Sequence, residues 1–281
     1  MSGAMSFAPL LGCGENRNAM SMIPDEHVSV LAAADKREGE TLDVLFEGKL
    51  KLFQAHSGYR FSLDALLLAH FTTCRRGDMV ADLGTGNGVI ALTLAYLHSS
   101  LSIVGVEIQL SMVDRASRNV RMNGFQERVT ISQADVRNIQ ETFGPESFAA
   151  VVCNPPYRRT TSGRISPNVE RKIARHEIAA GLADFLRAGA YLLPIKGRIA
   201  MIYPAVRVVD LIQSMRNVNL EPKRLRMVHS FADAKASLVL VEAVKGGRSG
   251  NEALSPLIVY RKGKQYTTEV EAMLAGRATI Y

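Results

Sequence analysis

The feature that most constrains the fold is the regular alternation of apolar and amphipathic segments from Met79 onward. Short apolar runs with strand character alternate with segments of helical periodicity, most clearly at 89–98, 111–122 and 206–218. A strand–helix–strand unit places its two strands parallel in one sheet, so the alternation predicts an α/β fold with helices on both sheet faces. The strands predicted in this region are 79–83, 102–107, 129–133, 148–153 and 199–203.

Two later apolar segments, 224–230 and 237–244, are separated by too few residues for a helix. Because a short connection joins antiparallel strands, we expect an antiparallel strand at one edge of the sheet. All the strands together predict a Rossmann-like, seven-stranded, mostly parallel sheet with one antiparallel edge strand. Ligands of such sheets bind beside the carboxyl ends of the strands.

An N-terminal extension precedes the alternating region. Residues 1–40 have no sustained apolar period, and we expect them to form a disordered leader. Within residues 41–78, two extended segments flank Glu47-Gly48-Lys49 and predict a hairpin, and a helix is predicted from Ser62 to about Cys74.

The predicted α/β domain spans residues 79–245. Residues 246–281 are expected to form a tail that packs on this domain. The tail is predicted to contain one strand at 257–260 and a final helix at 268–274.

Length and composition limit the class of protein. The 281 residues suit one large domain, and 47% of them are hydrophobic, which is enough for a sizeable core. The sequence has no apolar run of the ~18 residues that a membrane helix needs, and we expect a cytoplasmic protein without membrane contact. Cys13, Cys74 and Cys153 are too far apart to suggest a metal site. The net charge of +7 favours a nucleic-acid partner without establishing one, and the oligomeric state stays open.

The first predicted strand of the domain runs into a glycine-rich turn, Asp82-Leu83-Gly84-Thr85-Gly86-Asn87-Gly88. Glycines let the backbone turn sharply and approach a ligand closely. The dinucleotide fingerprint G-x-G-x-x-G would need its third glycine where Val89 stands, but this turn has it at Gly88. A pyrophosphate is therefore disfavoured, and Asp82 suits a cationic ligand such as the amino group of a methionine moiety.

Two further carboxylates follow the next strands. Glu107 ends the second strand and can accept hydrogen bonds from both ribose hydroxyls of a nucleoside. With the glycine spacing, Glu107 favours S-adenosylmethionine over a nicotinamide dinucleotide. Asp135 follows the third strand, where it either meets the adenine amine or only caps the next helix. The expected cofactor site consists of Asp82, Gly84, Thr85, Gly86, Asn87, Gly88, Glu107, Ile108, Asp135, Val136 and Asn154.

The segment Asn154-Pro155-Pro156-Tyr157 follows the fourth strand, and its two prolines end that strand and hold the loop rigid. An exocyclic amine on a conjugated ring is a poor nucleophile because its lone pair is delocalised into the ring. The Asn154 side-chain oxygen and the Pro155 carbonyl can accept the amine hydrogens, which localises the lone pair and positions the nitrogen. The Tyr157 ring can stack on a flipped-out base. We therefore expect Asn154, Pro155, Pro156 and Tyr157 to be the catalytic residues.

These motifs, in this order and spacing, resemble those of the class I S-adenosylmethionine-dependent amino-methyltransferases, which include adenine-N6 and release-factor glutamine methyltransferases. Finer features resemble one branch, the bacterial tRNA-valine adenine-N6 methyltransferases (YfiC-like), over about residues 41–275. The resemblance implies a Rossmann-like class I methyltransferase fold, S-adenosylmethionine as cofactor and an adenine just 3′ of the tRNA anticodon as substrate. The segments that carry it are 58–65, 119–124, His176-Glu177, 236–243 and Lys245-Gly246-Gly247.

Basic residues are concentrated after the expected catalytic loop, where arginines can grip phosphates or stack on bases. We expect this cluster to contact RNA, most directly through Arg158 and Arg159. Two smaller clusters lie later in the chain; a single basic cluster is more often a solvated surface than a binding site, and only the first cluster has the further support of adjoining the catalytic loop. The first cluster is Arg158, Arg159, Arg164, Arg171, Lys172 and Arg175, and the later ones are Lys223, Arg224 and Arg226, then Arg261, Lys262 and Lys264.

Three other functions stay open at this point. A protein glutamine N5-methyltransferase of the release-factor type would use the same loop, because a carboxamide nitrogen has the same delocalised lone pair. Such enzymes usually carry an N-terminal helical domain, whereas only a leader and a hairpin precede Ser62 here, and this favours RNA. A non-catalytic nucleotide-binding module is disfavoured by the intact loop. A nicotinamide oxidoreductase is disfavoured by Val89.

Overall fold

The alternation of strands and helices builds one large twisted sheet with helices on both faces. The structure, a computed structural model, describes residues 35–56, 62–156 and 180–277. The strands are β1 Glu40–Leu45, β2 Leu50–Ala55, β3 Met79–Leu83, β4 Ser102–Glu107, β5 Val129–Gln133, β6 Ala150–Cys153, β7 Arg198–Pro204, β8 Leu220–His229, β9 Ala236–Lys245, β10 Glu252–Ala253, β11 Leu257–Ile258, β12 Tyr260–Lys262 and β13 Gln265–Tyr266. The α-helices are α1 Leu63–Phe71, α2 Val89–Leu97, α3 Leu110–Met122, α4 Leu182–Leu192, α5 Val208–Arg216 and α6 Thr268–Leu274.

The large sheet has the order β10-β8-β9-β7-β6-β3-β4-β5, and β11 also pairs with β8. Strands β3 to β7 are parallel to one another, which places the carboxyl ends of β3, β4, β5 and β6 at one edge. The Rossmann-like α/β architecture expected from the sequence is therefore confirmed. The two short strands β10 and β11 extend the sheet beyond β8, so the described part of the chain contributes nine strands to it rather than seven.

The antiparallel strand is not at the edge, where the sequence places it. Strand β9 lies inside the sheet and is antiparallel to both β7 and β8. Strand β8 therefore runs in the same direction as β7. The physical reason lies in β9 itself, because Leu238–Ala243 are buried without interruption and need neighbours on both sides.

Most helices begin and end close to the residues that the periodicity predicts. Helix α5 starts at Val208, after a 3-10 turn over Ala205–Arg207, so the predicted helix 206–218 is shorter at both ends. Helix α4 starts at Leu182, and the His176-Glu177 segment that contributes to the resemblance lies outside the described residues. A 3-10 helix over Val136–Glu141 follows β5.

The hairpin β1–β2 is clamped to helix α3 by two asparagines one helical turn apart. The Asn123 side chain accepts a hydrogen bond from the Lys51 amide at 2.8 Å and donates one to the Lys51 carbonyl at 2.7 Å. Asn119 does the same to Phe53, at 2.7 and 3.2 Å. The two amide side chains thus satisfy the outer backbone groups of β2 as a neighbouring strand would.

A buried charge cluster fixes the beginning of β1. The Glu40 carboxylate accepts hydrogen bonds from Arg115 at 2.9 Å and from Arg118 at 2.6 and 2.8 Å. Arg37 reaches Asp114 on the same helix at 2.7 Å. Residues 35–40 therefore contact α3 rather than belonging to a disordered leader, as the sequence predicts for 1–40, and residues 1–34 lie outside the described residues.

The core lies on both faces of the sheet. Every residue of α1 is buried, which is typical of an inner helix, and α1 contacts α2, β7 and α6. The chain after β9 shares this core, because Leu257, Val270 and Met273 are buried in the same apolar cluster. Within the described residues, no helix is both long and apolar enough to span a bilayer.

We expect Glu40→Gln to lower the free energy of unfolding by about 3 kcal/mol at pH 7, because Arg115 and Arg118 would lose their buried counter-charge. Glu271→Gln is the control, since Glu271 pairs with Arg261 at 3.5 Å on the surface, where both side chains are about half exposed. Such a pair contributes less than about 1 kcal/mol. Urea denaturation measures both variants, and equal losses would contradict this account of the cluster.

The same pair of proteins tests the pH dependence. Burial alone would raise the pKa of Glu40, but the hydrogen bonds from Arg118 and Arg115 outweigh it and lower the pKa from 4.5 to about 2. A carboxylate with a lowered pKa stabilises the fold above its unfolded pKa and loses this contribution as the pH falls. The advantage of the wild type over Glu40→Gln should therefore shrink between pH 4.5 and pH 2, and a constant difference would contradict the assignment.

Candidate active site

The glycine turn connects β3 to α2 at the carboxyl edge of the sheet. Gly84, Gly86 and Gly88 have φ angles of 73°, 60° and 85°, in the left-handed region that disfavours other residues. The amides of Gly84 and Thr85 both donate to the Val106 carbonyl, at 2.8 and 3.0 Å. The turn is therefore tied to the end of β4.

Asp82 is fully buried beneath the turn. Its Oδ2 accepts hydrogen bonds from the Thr85 hydroxyl at 2.6 Å and from the Ala91 amide, in the first turn of α2, at 3.2 Å. Its Oδ1 is buried and has no partner within the described part of the chain. Burial raises the pKa of Asp82 from 3.8 to about 7, against the effect of these hydrogen bonds. A cation close to this turn would favour the ionised carboxylate.

Glu107 is also buried, and it organises the neighbouring strand end. Its Oε1 accepts from the amides of Ile108 and Gln109, both at 3.0 Å, and its Oε2 accepts from the Gly86 amide at 3.0 Å. Burial raises the pKa of Glu107, and the backbone hydrogen bonds oppose this effect. The Glu107 carboxylate therefore joins the glycine turn to the residues after β4.

Asp135 caps a helix, which is one of the two roles that the sequence leaves open. Its side chain accepts from the Arg137 amide at 2.9 Å and forms an ion pair with the Arg137 guanidinium at 2.5 Å. The hydrogen bond from Arg137 lowers the pKa of Asp135. Val136, the next residue, is buried in the apolar core below.

The Asn154 loop emerges beside the glycine turn. Leu83 and Cys153 are opposite one another in the neighbouring parallel strands β3 and β6, so Gly84 and Asn154 follow at adjacent strand ends. Paired strands are about 4.8 Å apart. Asn154 is partly exposed, Pro155 is buried and Pro156 is exposed, whereas Tyr157 lies outside the described residues.

Asn119 connects the hairpin to the glycine turn, a role that the sequence analysis missed. Besides its two hydrogen bonds to Phe53, its side-chain amide donates to the Asn87 carbonyl at 2.9 Å. The Asn87 side chain in turn lies 3.4 Å from the Gln54 oxygen. The signal in the sequence was Asn119 on the apolar side of an amphipathic helix, where a fully buried amide needs partners.

Gly105 is a second residue that the sequence analysis missed. It lies opposite Asp82 in the pairing of β3 with β4. A Cβ atom at this position would come within 2.9 Å of both Oγ1 and Cγ2 of Thr85. Only glycine therefore leaves room for Thr85 to reach the Asp82 carboxylate.

No cluster of three or more His, Cys, Asp or Glu side chains that could hold a metal ion occurs in residues 35–56, 62–156 and 180–277. The described site consists of carboxylates, amides and backbone groups that suit an organic ligand with hydroxyl groups and a positive charge. The segment 158–175, where the first basic cluster was expected, lies outside the described residues.

Fold and site together define a class I S-adenosylmethionine-dependent methyltransferase. Residues 62–193 match the family model of the methyltransferase small domain. The match runs from α1 through α4 and covers both the glycine turn and the Asn154 loop. Over residues 62–193 the chain is therefore similar to this family; the protein is an enzyme, and its cofactor is S-adenosylmethionine.

Similar proteins agree with this family. A relative from Parabacteroides distasonis, named tRNA1(Val) (adenine(37)-N6)-methyltransferase, is 28% identical over 69% of this chain and 80% of its own length. A relative of the same name from Photobacterium profundum is 25% identical over 77% of this chain and 90% of its own. Among solved structures, a predicted O-methyltransferase from Agrobacterium tumefaciens aligns with a TM-score of 0.64 and 23% identity, over 77% of this chain and 98% of that one. At this identity the solved structure supports the fold alone.

Asn119→Ala and Asn123→Ala form a matched pair of variants in one helix. Each leaves two backbone groups of β2 unpaired, and we expect each to lower stability by about 1–3 kcal/mol. Only Asn119 also holds the Asn87 carbonyl, so only Asn119→Ala should weaken S-adenosylmethionine binding, by about tenfold. Calorimetric titration at a temperature where both variants are folded measures the difference. Equal cofactor affinities in the two variants would refute the role of Asn119 in positioning the turn.

Proposed function

We propose that this enzyme transfers the methyl group of S-adenosylmethionine to the exocyclic N6 amine of an adenine in tRNA. One observation carries the proposal: the Asn154 loop, with its two hydrogen-bond acceptors, follows β6 directly beside the glycine turn at the end of β3. The names of the relatives support adenine 37 of a valine tRNA as the substrate. An enzyme that acts on tRNA is expected in the cytoplasm.

The residues of the glycine turn fit the cofactor. Among the described residues, the buried Oδ1 of Asp82 has no hydrogen-bond donor, and the positive charge of a methionine amino group would favour the ionised carboxylate. We assign Glu107 to the ribose hydroxyls, with Ile108 beside it. Asp135 has the least support of the three carboxylates, because Arg137 already occupies it. The other residues assigned to the cofactor are Gly84, Thr85, Gly86, Asn87, Gly88, Val136 and Asn154.

When bound, the cofactor supplies an electrophilic methyl group on a sulfonium. The task of the protein is to make the amine nucleophilic and to hold it. The Asn154 side-chain oxygen and the Pro155 carbonyl each accept one amine hydrogen, which draws the nitrogen lone pair out of the aromatic ring. Fixed acceptors of this kind need no reorganisation during the reaction. The two prolines keep the loop rigid, and Tyr157 is assigned to stack on the base.

The site does not need a strong base, because the proton can leave after the nitrogen has become positively charged. Cys153, the residue before Asn154, is fully buried. Burial raises the pKa of its thiol well above the usual value, so the sulfur stays protonated and does not compete with the amine for the methyl group.

A glutamine carboxamide would meet the same acceptors, so the substrate class rests on other observations. The chain carries a net charge of +7, which suits a polyanion better than a protein loop. The relatives described above are named for a tRNA reaction.

The assay that tests the function uses radiolabelled S-adenosylmethionine with either unmodified total tRNA or purified release factors. We expect label in the tRNA, and nucleoside analysis should identify it as N6-methyladenosine. Label in a release-factor glutamine, or in no macromolecule, would overturn the proposal.

Asn154→Ala tests the role of the loop. Loss of one fixed acceptor should lower kcat by a factor of about 100 to 1000, while the Kd for S-adenosylmethionine changes by less than about threefold. Asn217→Ala, at the exposed end of α5, is the control and should keep full activity. Full activity of Asn154→Ala would contradict the assigned mechanism.

A further inference from the structure

The hairpin formed by β12 and β13, residues Tyr260–Tyr266 and here called the C-terminal hairpin, lies at the same edge of the sheet as the Asn154 loop. Its preceding strand, β11, is parallel to β8, with Ile258 opposite His229. Because β9 is antiparallel to both of its neighbours, β8 points in the same direction as β6 and β3. The C-terminal hairpin therefore begins where β8 ends, on the catalytic side.

The pairing registers give the distance along this edge. One row of residues that lie opposite each other in neighbouring strands crosses the sheet from Leu83, just before the glycine turn, to Leu225 in β8. Strand β8 continues four residues beyond Leu225, to His229. Four strand spacings, from β6 over β7, β9 and β8 to β11, correspond to about 20 Å. This is about the diameter of an RNA stem. The row consists of Leu83, Cys153, Met201, Val241 and Leu225.

The structure distinguishes between the two later basic clusters. Arg226 is 5% exposed and pairs with Glu269 at 2.6 Å, and Arg224 lies on the Phe71 ring and near Glu242. These two arginines form contacts within the protein, so their charges are not available to bind RNA. In contrast, Lys262 and Lys264 are exposed, and neither forms an ion pair with any residue of the described segments.

Aromatic rings accompany these lysines. Tyr260 stacks on Tyr266, with ring centroids 5.1 Å apart, and Phe231 from the loop between β8 and β9 lies 5.6 Å from Tyr260. The Tyr260 amide donates to the Ser230 carbonyl at 2.9 Å, which ties this loop to the hairpin. All three rings are partly exposed, and Lys235 is exposed in the same loop. Partly exposed rings beside unpaired cations are the combination that binds unpaired nucleotides.

We propose that the C-terminal hairpin and the β8–β9 loop form a second contact with the substrate RNA. Lys262 and Lys264 bind phosphates, and the Phe231 ring packs against an unpaired base, about 20 Å from the adenine that reacts. This inference rests on the proposed function, since it assumes that the substrate is RNA. On this proposal, part of the RNA-binding affinity comes from a surface that is separate from the catalytic Asn154 loop.

The test compares two double variants with the same change of charge. Lys262→Glu/Lys264→Glu alters the hairpin, and Lys196→Glu/Lys223→Glu alters exposed or partly exposed lysines near the starts of β7 and β8, at the opposite edge of the sheet. Binding of fluorescein-labelled tRNA is followed by anisotropy over a range of salt concentrations. The methylation rate and the affinity for S-adenosylmethionine are measured in parallel.

We expect the hairpin variant to bind tRNA about tenfold more weakly than the control variant, with a salt slope smaller by between about one and two. Its KM for tRNA should rise by the same factor, while kcat at saturating tRNA and the cofactor affinity stay at control values. Phe231→Ala should weaken binding about tenfold without changing the salt slope, because stacking releases no counterions.

The outcomes separate this inference from the proposed function. If wild type methylates tRNA and the hairpin variant matches the control in affinity and salt slope, the second contact is refuted and the function stands. If wild type binds no labelled tRNA, or methylates only protein, both are refuted. If kcat falls while KM is unchanged, the hairpin acts on the chemistry rather than on binding, and the inference is also refuted.

Discussion

The parallel pairing of β3 with β6 is the constraint on which the site depends. Both strands run in the same direction, so their carboxyl ends meet at one edge, and the register places Leu83 opposite Cys153. The glycine turn and the Asn154 loop start one residue later. A shift of one residue would exchange the two faces of the strand and place its buried side chains in the wrong layer. The apolar burial of β6 on both sides therefore also holds the catalytic loop in position.

The buried carboxylates beside the glycine turn lower the stability of the fold, and their hydrogen bonds offset most of this loss. Two carboxylates, Asp82 and Glu107, are buried at neighbouring strand ends, and burial of a charge is unfavourable without partners. Both oxygens of Glu107 accept hydrogen bonds from backbone amides, and Oδ2 of Asp82 accepts from the Thr85 hydroxyl and from an amide of α2. Gly105 leaves the space for this arrangement. Oδ1 of Asp82 has no hydrogen-bond partner in the described part of the chain, so a positively charged ligand would gain most at this atom. The buried Asp82 carboxylate thus lowers the stability of the protein without cofactor, and cofactor binding can restore that stability.

Local sequence patterns predicted the parts of this protein that local forces determine. The final helix occupies Thr268–Leu274, the residues that the periodicity predicts, and α2 begins directly after Gly88. The position of β9 between β7 and β8 was predicted wrongly, because the short β8–β9 connection defines an antiparallel pair without saying which member lies inside. The four consecutive apolar residues 238–241 of β9 were the signal that could have shown it.

The glycine turn could be located from its spacing, but the residues that hold it could not. Asn119 is 32 positions away from Asn87 and looks like an ordinary polar residue of an amphipathic helix. Its role depends on the packing of the hairpin against α3, which no local pattern encodes. The same applies to the basic clusters, since only the tertiary structure separates Arg226, which is paired inside the fold, from Lys262 on the surface.

One rigid pair of acceptors, on this mechanism, holds an amine beside the ligand of the glycine turn. A crystal structure of the enzyme with S-adenosylhomocysteine and an RNA stem-loop that contains the target adenine tests it most directly. We predict that the adenine N6 lies roughly 3 Å from both the Asn154 side-chain oxygen and the Pro155 carbonyl oxygen. An Asn154 side chain directed into the core, with N6 bound by other groups, would contradict the account.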